Sequence, residues 1–120
     1  MRELKTVTHS DHPMPAAGRI WVVDEAELTE LPDSTLGMSW AEGTRIHRAI
    51  ANAICGTPEQ LTAEELEFLC DITDTAYADV ARELGLNKST VTNWRKKGEV
   101  AKRSDSSRLK RWFWFKLFGE

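Results

Sequence analysis

Two periods of hydrophobic and polar positions divide the chain. Over residues 19–41 the pattern is strand-like. Arg19-Ile20-Trp21-Val22-Val23 is rich in β-branched and aromatic side chains, and Glu27-Leu28-Thr29-Glu30-Leu31 alternates polar with apolar. Pro32-Asp33-Ser34 is turn chemistry, and Leu36 to Trp40 can pair as a third strand, so the region reads as a small antiparallel meander. From Thr44 the period becomes helical. Ile46, Ala49, Ile50, Ala53 and Ile54 form one stripe, closed by Gly56. Thr62-Ala63-Glu64-Glu65 is a capping box that opens a second helix, with Leu66, Leu69 and Cys70 facing inward. A third helix is predicted from about Thr75 to Leu84. A fourth begins after Asn87 and stops at Gly98, and the last runs from about Ser106 to Phe118. Residues 1–18, with Pro13, Pro15 and Gly18 and no periodicity, read as a flexible arm.

The expected architecture is α+β, mainly α: a short N-terminal antiparallel β-region, then a helical bundle containing a helix-turn-helix. The boundaries are 1–18 for the arm, 19–60 for the β-region plus its helix, and 61–120 for the helix-turn-helix domain with its aromatic C-terminal helix. A chain of 120 residues suits one compact domain with a small extension.

The helix-turn-helix rests on Val80-Ala81-Arg82-Glu83-Leu84-Gly85-Leu86-Asn87-Lys88-Ser89-Thr90-Val91-Thr92-Asn93-Trp94. Gly85-Leu86-Asn87 has the length of the tight turn in that motif. Ala81 is small enough to let the next helix pack close, and Gly85 can take the left-handed conformation that ends the first helix. Val80, Leu84, Leu86, Val91 and Trp94 are expected to face a shared core. Lys88, Ser89, Thr92, Asn93 and Lys96 are expected to point outward.

Charge sharpens this picture. The net charge is -3. Acids concentrate between residues 61 and 85, and bases between residues 86 and 120, where Lys88, Arg95, Lys96, Lys97, Lys102 and Arg103 lie. Polyanion binding needs local charge rather than a basic average. A second helix laid in the major groove of double-stranded DNA would read base edges with Lys88, Ser89, Thr92 and Asn93. Thr75, Tyr77, Thr90, Arg95, Lys96, Lys97, Lys102 and Arg103 are the candidate phosphate contacts. About four phosphate contacts per subunit of a dimer imply a salt slope near -7.

Leu61 to Gly98 resembles the helix-turn-helix half of MqsA-type antitoxins and of phage-repressor-like regulators of the XRE/Cro type. Leu61, Thr62, Glu65, Phe68 and Leu69 match its first segment. Val80, Ala81, Leu84, Gly85, Leu86, Thr90, Val91 and Trp94 match its second. The resemblance implies a homodimeric repressor of its own operon, acting on a palindromic operator. It also carries two alternatives: an antitoxin that neutralises a cognate toxin protein, and an autorepressor of a phage anti-CRISPR operon. The chain lacks the CxxC pairs of the antitoxin prototype, so no zinc domain is expected.

The C-terminal helix holds Trp112, Phe113, Trp114, Phe115 and Phe118 within seven residues. A helix apolar on most faces must be buried on most faces. One face is expected to complete the core, and these aromatics to form a homodimer interface. Other chemistry is thin. His9 and His12 sit in the arm as at most half a metal site. No nucleophile–base arrangement or phosphate loop occurs, so no enzyme, metal or cofactor is expected. Cys55 and Cys70 read as reduced buried thiols of a cytoplasmic protein, and no membrane segment is predicted.

Overall fold

A computed structural model describes residues 6–98, 100 and 102–119. The chain divides into two compact units, Met1–Ile50 and Ala51–Glu120. The architecture is α+β and mainly α: among the described residues, a three-stranded antiparallel sheet of order β1-β2-β3 is followed by five helices.

The first unit corrects the sequence reading of the N-terminus. Residues read as an arm contain strand β1, Thr6–Ala16, which pairs along its length with β2, Arg19–Glu30, from Thr6 opposite Thr29 to Ala16 opposite Arg19. Proline disguised it. Pro13 and Pro15 lack the N–H that a central strand needs, but β1 lies at an edge, where proline is tolerated. The turn is Ala17-Gly18, with φ of 53° and 79°, the paired positive values of a tight two-residue hairpin. The two short strands expected at 19–23 and 27–31 are one strand. Asp24 and Glu25 remain exposed within it, so the polar break marks an exposed stretch and not a turn. The short β3, Leu36–Met38, completes the sheet.

Helix α1, Trp40–Gly56, begins four residues before the expected Thr44. Ser39 explains the early start: its Oγ accepts from the Glu42 backbone N–H at 3.1 Å. Ala26 and Leu28 of β2 and Ile46 and Ile50 of α1 are the buried apolar residues of this unit among those described. Ala49 and Ala53 of the expected stripe are exposed, and Ala51 is buried in their place.

Glu42 ties the unit together. Its Oε2 accepts from the Glu27 N–H at 2.6 Å, and its two oxygens pair with Arg45 at 2.5 and 3.0 Å. Arg45 in turn donates to the Glu25 carbonyl at 3.0 Å. These bonds, led by that from Arg45, hold the Glu42 carboxyl at about 2 against an ordinary value of 4.5. A carboxyl depressed by folding contributes stability that is complete above its unfolded value and is lost as pH falls through the folded one. The melting temperature should therefore decline between about pH 4.5 and about 2. In a calorimetric pH series, Glu42→Gln should flatten that decline and lower the melting temperature at pH 7. An identical decline in the variant would remove Glu42 from the explanation.

The second unit holds α2 (Ala63–Thr73), α3 (Tyr77–Leu84), α4 (Lys88–Lys97) and α5 (Arg103–Phe118). The expected capping box is present: Thr62 Oγ1 accepts from Glu65 N at 3.0 Å, and Glu65 Oε1 from Thr62 N at 2.9 Å. Its core contains Ile54, Leu61, Leu66, Leu69, Val80, Val91, Trp94, Val100, Leu109 and Phe113, each at most 2 % exposed.

Candidate nucleic-acid interface

The segment α3–turn–α4 is the one to which sequence assigned function. Its turn is closed by backbone bonds. Leu86 N–H reaches the Ala81 carbonyl at 2.8 Å and Gly85 N–H the Arg82 carbonyl at 3.3 Å, with Gly85 at φ 67°. This double closure satisfies carbonyls that the last turn of α3 would otherwise leave open. Three residues later α4 is under way, and it packs against both α3 and α2.

Helical geometry sorts the residues of α4. At about 100° per residue, Val91 and Trp94 fall on one side, and Lys88, Ser89, Thr92, Asn93 and Lys96 share an arc of about 140° on the other. Burial follows that division. Val91 and Trp94 are 1 % and 2 % exposed, while all four residues assigned to base reading are exposed. Val80 and Ala81 of α3 are buried too, and Leu84 and Leu86 half-buried. Asn87 holds the N-cap position with extended backbone, but its side chain makes no cap bond. The Thr92 hydroxyl donates back to the Lys88 carbonyl at 3.0 Å, so Thr92 offers an approaching ligand an acceptor oxygen and a methyl group.

The far end of α4 is anchored. Gly98, at φ 79°, ends the helix, and its carbonyl accepts from Ala63 N at 3.0 Å. Val100 N–H bonds the Leu61 carbonyl at 3.0 Å, and Leu61 N–H bonds the buried Ser106 Oγ at 2.8 Å. Glu83 and Arg108 pair at 3.5 Å between α3 and α5. The exposed face of α4 is thus held by backbone bonds at both ends and by core packing behind it.

The candidate phosphate contacts fall into two groups. Thr90, Lys96, Lys97, Lys102 and Arg103 are exposed, with Lys102 and Arg103 at the start of α5. Three others are engaged within the fold. Arg95 pairs with Glu67 of α2 at 2.7 Å and lies over the Tyr77 ring, 5.8 Å from its centroid. The Glu67 carboxylate, then the Tyr77 phenol, raise the Arg95 pKa, and burial raises that of Tyr77. Thr75 Oγ1 shares a 2.7 Å hydrogen bond with Thr73 Oγ1 and is half-buried. Sequence reasoning missed Glu67 as the partner of Arg95. The two lie 28 residues apart, beyond any helical spacing rule.

The aromatic helix needs one correction. Phe113 was expected at a subunit interface, but it is wholly buried, one turn beyond the equally buried Leu109. Trp112 and Phe118 are half-buried, and Lys116 sits 4.5 Å over the Trp112 ring. Trp114 and Phe115 are 39 % and 63 % exposed, with rings 5.5 Å apart. Trp114 Nε1 donates to Asn52 Oδ1 at 3.0 Å.

Cys55 and Cys70 are free thiols, raised to about 11 and about 12 chiefly by burial. Among the described residues, no group of three or more metal-ligating side chains converges, and no helix is long and apolar enough to cross a membrane. Compared with known proteins, the chain matches no family model, no curated protein and no solved structure.

Proposed function

We propose that this chain is a sequence-specific DNA-binding protein that acts as a homodimeric transcriptional repressor in the cytoplasm. The observation that carries this reading is α4: a helix with four basic and no acidic residues, fixed from behind by Val91 and Trp94. It shows solvent an unbroken polar face of Lys88, Ser89, Thr92, Asn93 and Lys96. A short helix-to-helix turn that offers such a face suits insertion in the major groove. Lys and Asn match guanine and adenine edges, and Lys96, Lys97, Lys102 and Arg103 supply charge toward phosphate.

Two copies would read a palindrome whose half-sites lie about 34 Å apart. Phe115, 63 % exposed, is the aromatic side chain on α5 that suits self-association. The occupied operator would exclude polymerase by steric overlap, and an operator in the chain's own promoter makes the circuit autoregulatory.

Selection from a random-sequence duplex pool tests the reading directly. The expected product is a two-fold symmetric site, bound with a salt slope near -7 if about four phosphates are met per subunit. Sedimentation should show a dimer that Phe115→Ser converts to monomer. A pool that stays random after repeated rounds would overturn the function.

The Arg95–Glu67 pair adds a sharper expectation. While Glu67 holds the guanidinium, Arg95 is drawn from the phosphate footprint. Glu67→Gln should tighten DNA binding and steepen the salt slope by about 0.9 per subunit. An unchanged slope would show that Arg95 does not reach DNA.

A further inference from the structure

We infer that the second unit carries a binding site for a small organic anion, a single carboxylate or phosphate joined to a flat or aliphatic body, in the pocket between α5 and the Thr57–Pro58 segment. The pocket has a volume of about 280 Å³, at the small end of the range for ligand sites. Ser107, Lys110, Arg111 and Trp114 line it from α5, at the i, i+3, i+4 and i+7 positions of one helical face. Thr57 and Pro58 form the opposite wall.

Its chemistry is one-sided. Among the described residues, two cations and no carboxylate line the pocket. Lys110 is only 8 % exposed, and its Nζ donates to the Thr57 carbonyl at 2.7 Å and to the Glu59 carbonyl. An ammonium has three N–H groups, so one remains after these two bonds. The charge is thereby fixed in place rather than left to swing in solvent. Its field reaches the remaining wall, since it opposes the burial that raises the Cys55 thiol.

Arg111 and Ser107 complete the polar set. Neither side chain has a partner among the described residues, and both are exposed. A guanidinium beside a fixed ammonium is a strong receptor for one carboxylate or phosphate group. Trp114 is the apolar wall, its ring held by the bond from Nε1 to Asn52. That wall asks for a ligand with a hydrophobic or planar body rather than a bare inorganic ion. The site is separate from the face of α4 and does not rest on the DNA reading.

The Trp114 indole N–H gives a reporter at the pocket wall, assigned by its loss in Trp114→Phe. Titration of the full chain with phenyl phosphate, followed by nitrogen–proton NMR, should move that signal along a saturating curve with half-saturation at or below a few millimolar. Benzyl alcohol, which has the ring without the charge, should leave it still. Inorganic phosphate, which has the charge without the ring, should bind at least about ten-fold more weakly. Arg111→Gln should weaken phenyl phosphate about ten-fold or more, while Arg82→Gln, an equal charge loss at an exposed position on α3, should not. Arg111 is exposed, so its variant should keep the wild-type spectrum elsewhere. A shift that never saturates, equal binding of phosphate and phenyl phosphate, or equal weakening by the two arginine variants would each overturn the site.

Discussion

Asn93→Ala should remove most of the preference for a selected operator over a scrambled duplex while leaving binding to the scrambled duplex nearly unchanged. Asn93 is exposed on α4 and its side chain is bound to no neighbour among the described residues. Its amide can therefore offer a donor and an acceptor together, the pair that adenine presents in the major groove. One such bidentate contact is worth about 1–3 kcal/mol of discrimination, and a two-fold dimer makes it twice, so roughly 2–6 kcal/mol is at stake. The sequence-independent term is carried by charge, which this substitution does not alter. Lys88→Ala differs in a useful way. It removes a guanine partner and also a positive charge, so it should weaken both duplexes, the operator more. Anisotropy titrations with both duplexes at one salt concentration separate the two effects. If Asn93→Ala weakened both equally, Asn93 would be a general contact and the recognition register along α4 would be wrong.

Legibility from sequence was uneven, for reasons that particular residues make plain. The second unit announced itself because its signals are local. Thr62 and Glu65 form their capping box within one turn, and Gly85 and Gly98 end α3 and α4 at positive φ where the sequence placed them. The polar face of α4 follows from helical period alone. The N-terminal strand did not announce itself, because strand pairing is non-local. Nothing in Thr6–Ala16 states that Arg19–Glu30 will lie beside it, and two prolines argue against a strand until its edge position is known. Ser39 does carry a readable start signal for α1, but the strand expected over Leu36 to Trp40 obscured it. The Arg95–Glu67 pair and the burial of Phe113 belong to tertiary packing. A list of basic residues says which can reach a phosphate, not which are already held by a neighbour.

Trp94→Ala should be the most destabilising single change in the second unit, and DNA binding should fall with it. Trp94 is 2 % exposed and sits behind the proposed recognition face, with Val91 one turn before it on the same side. Truncating a buried tryptophan to alanine costs about 3–5 kcal/mol, because apolar area is lost and a cavity remains. Against a net stability of about 5–15 kcal/mol for a typical domain, that loss is a large share. The indole supplies a second test. Its Nε1 is buried with no hydrogen-bond partner among the described residues, a feature that costs about 1–3 kcal/mol in a dry site. Trp94→Phe removes that stranded donor and keeps an aromatic body, so relief of the polar penalty offsets part of the smaller cavity. Urea unfolding followed by circular dichroism should therefore rank wild type near Trp94→Phe and both well above Trp94→Ala. The same ranking should hold for operator affinity, because the polar face of α4 is only as well placed as the wall behind it. If Trp94→Ala unfolded at nearly the wild-type urea concentration, Trp94 would not be the support for α4, and the proposed reading face would lose its rigid base.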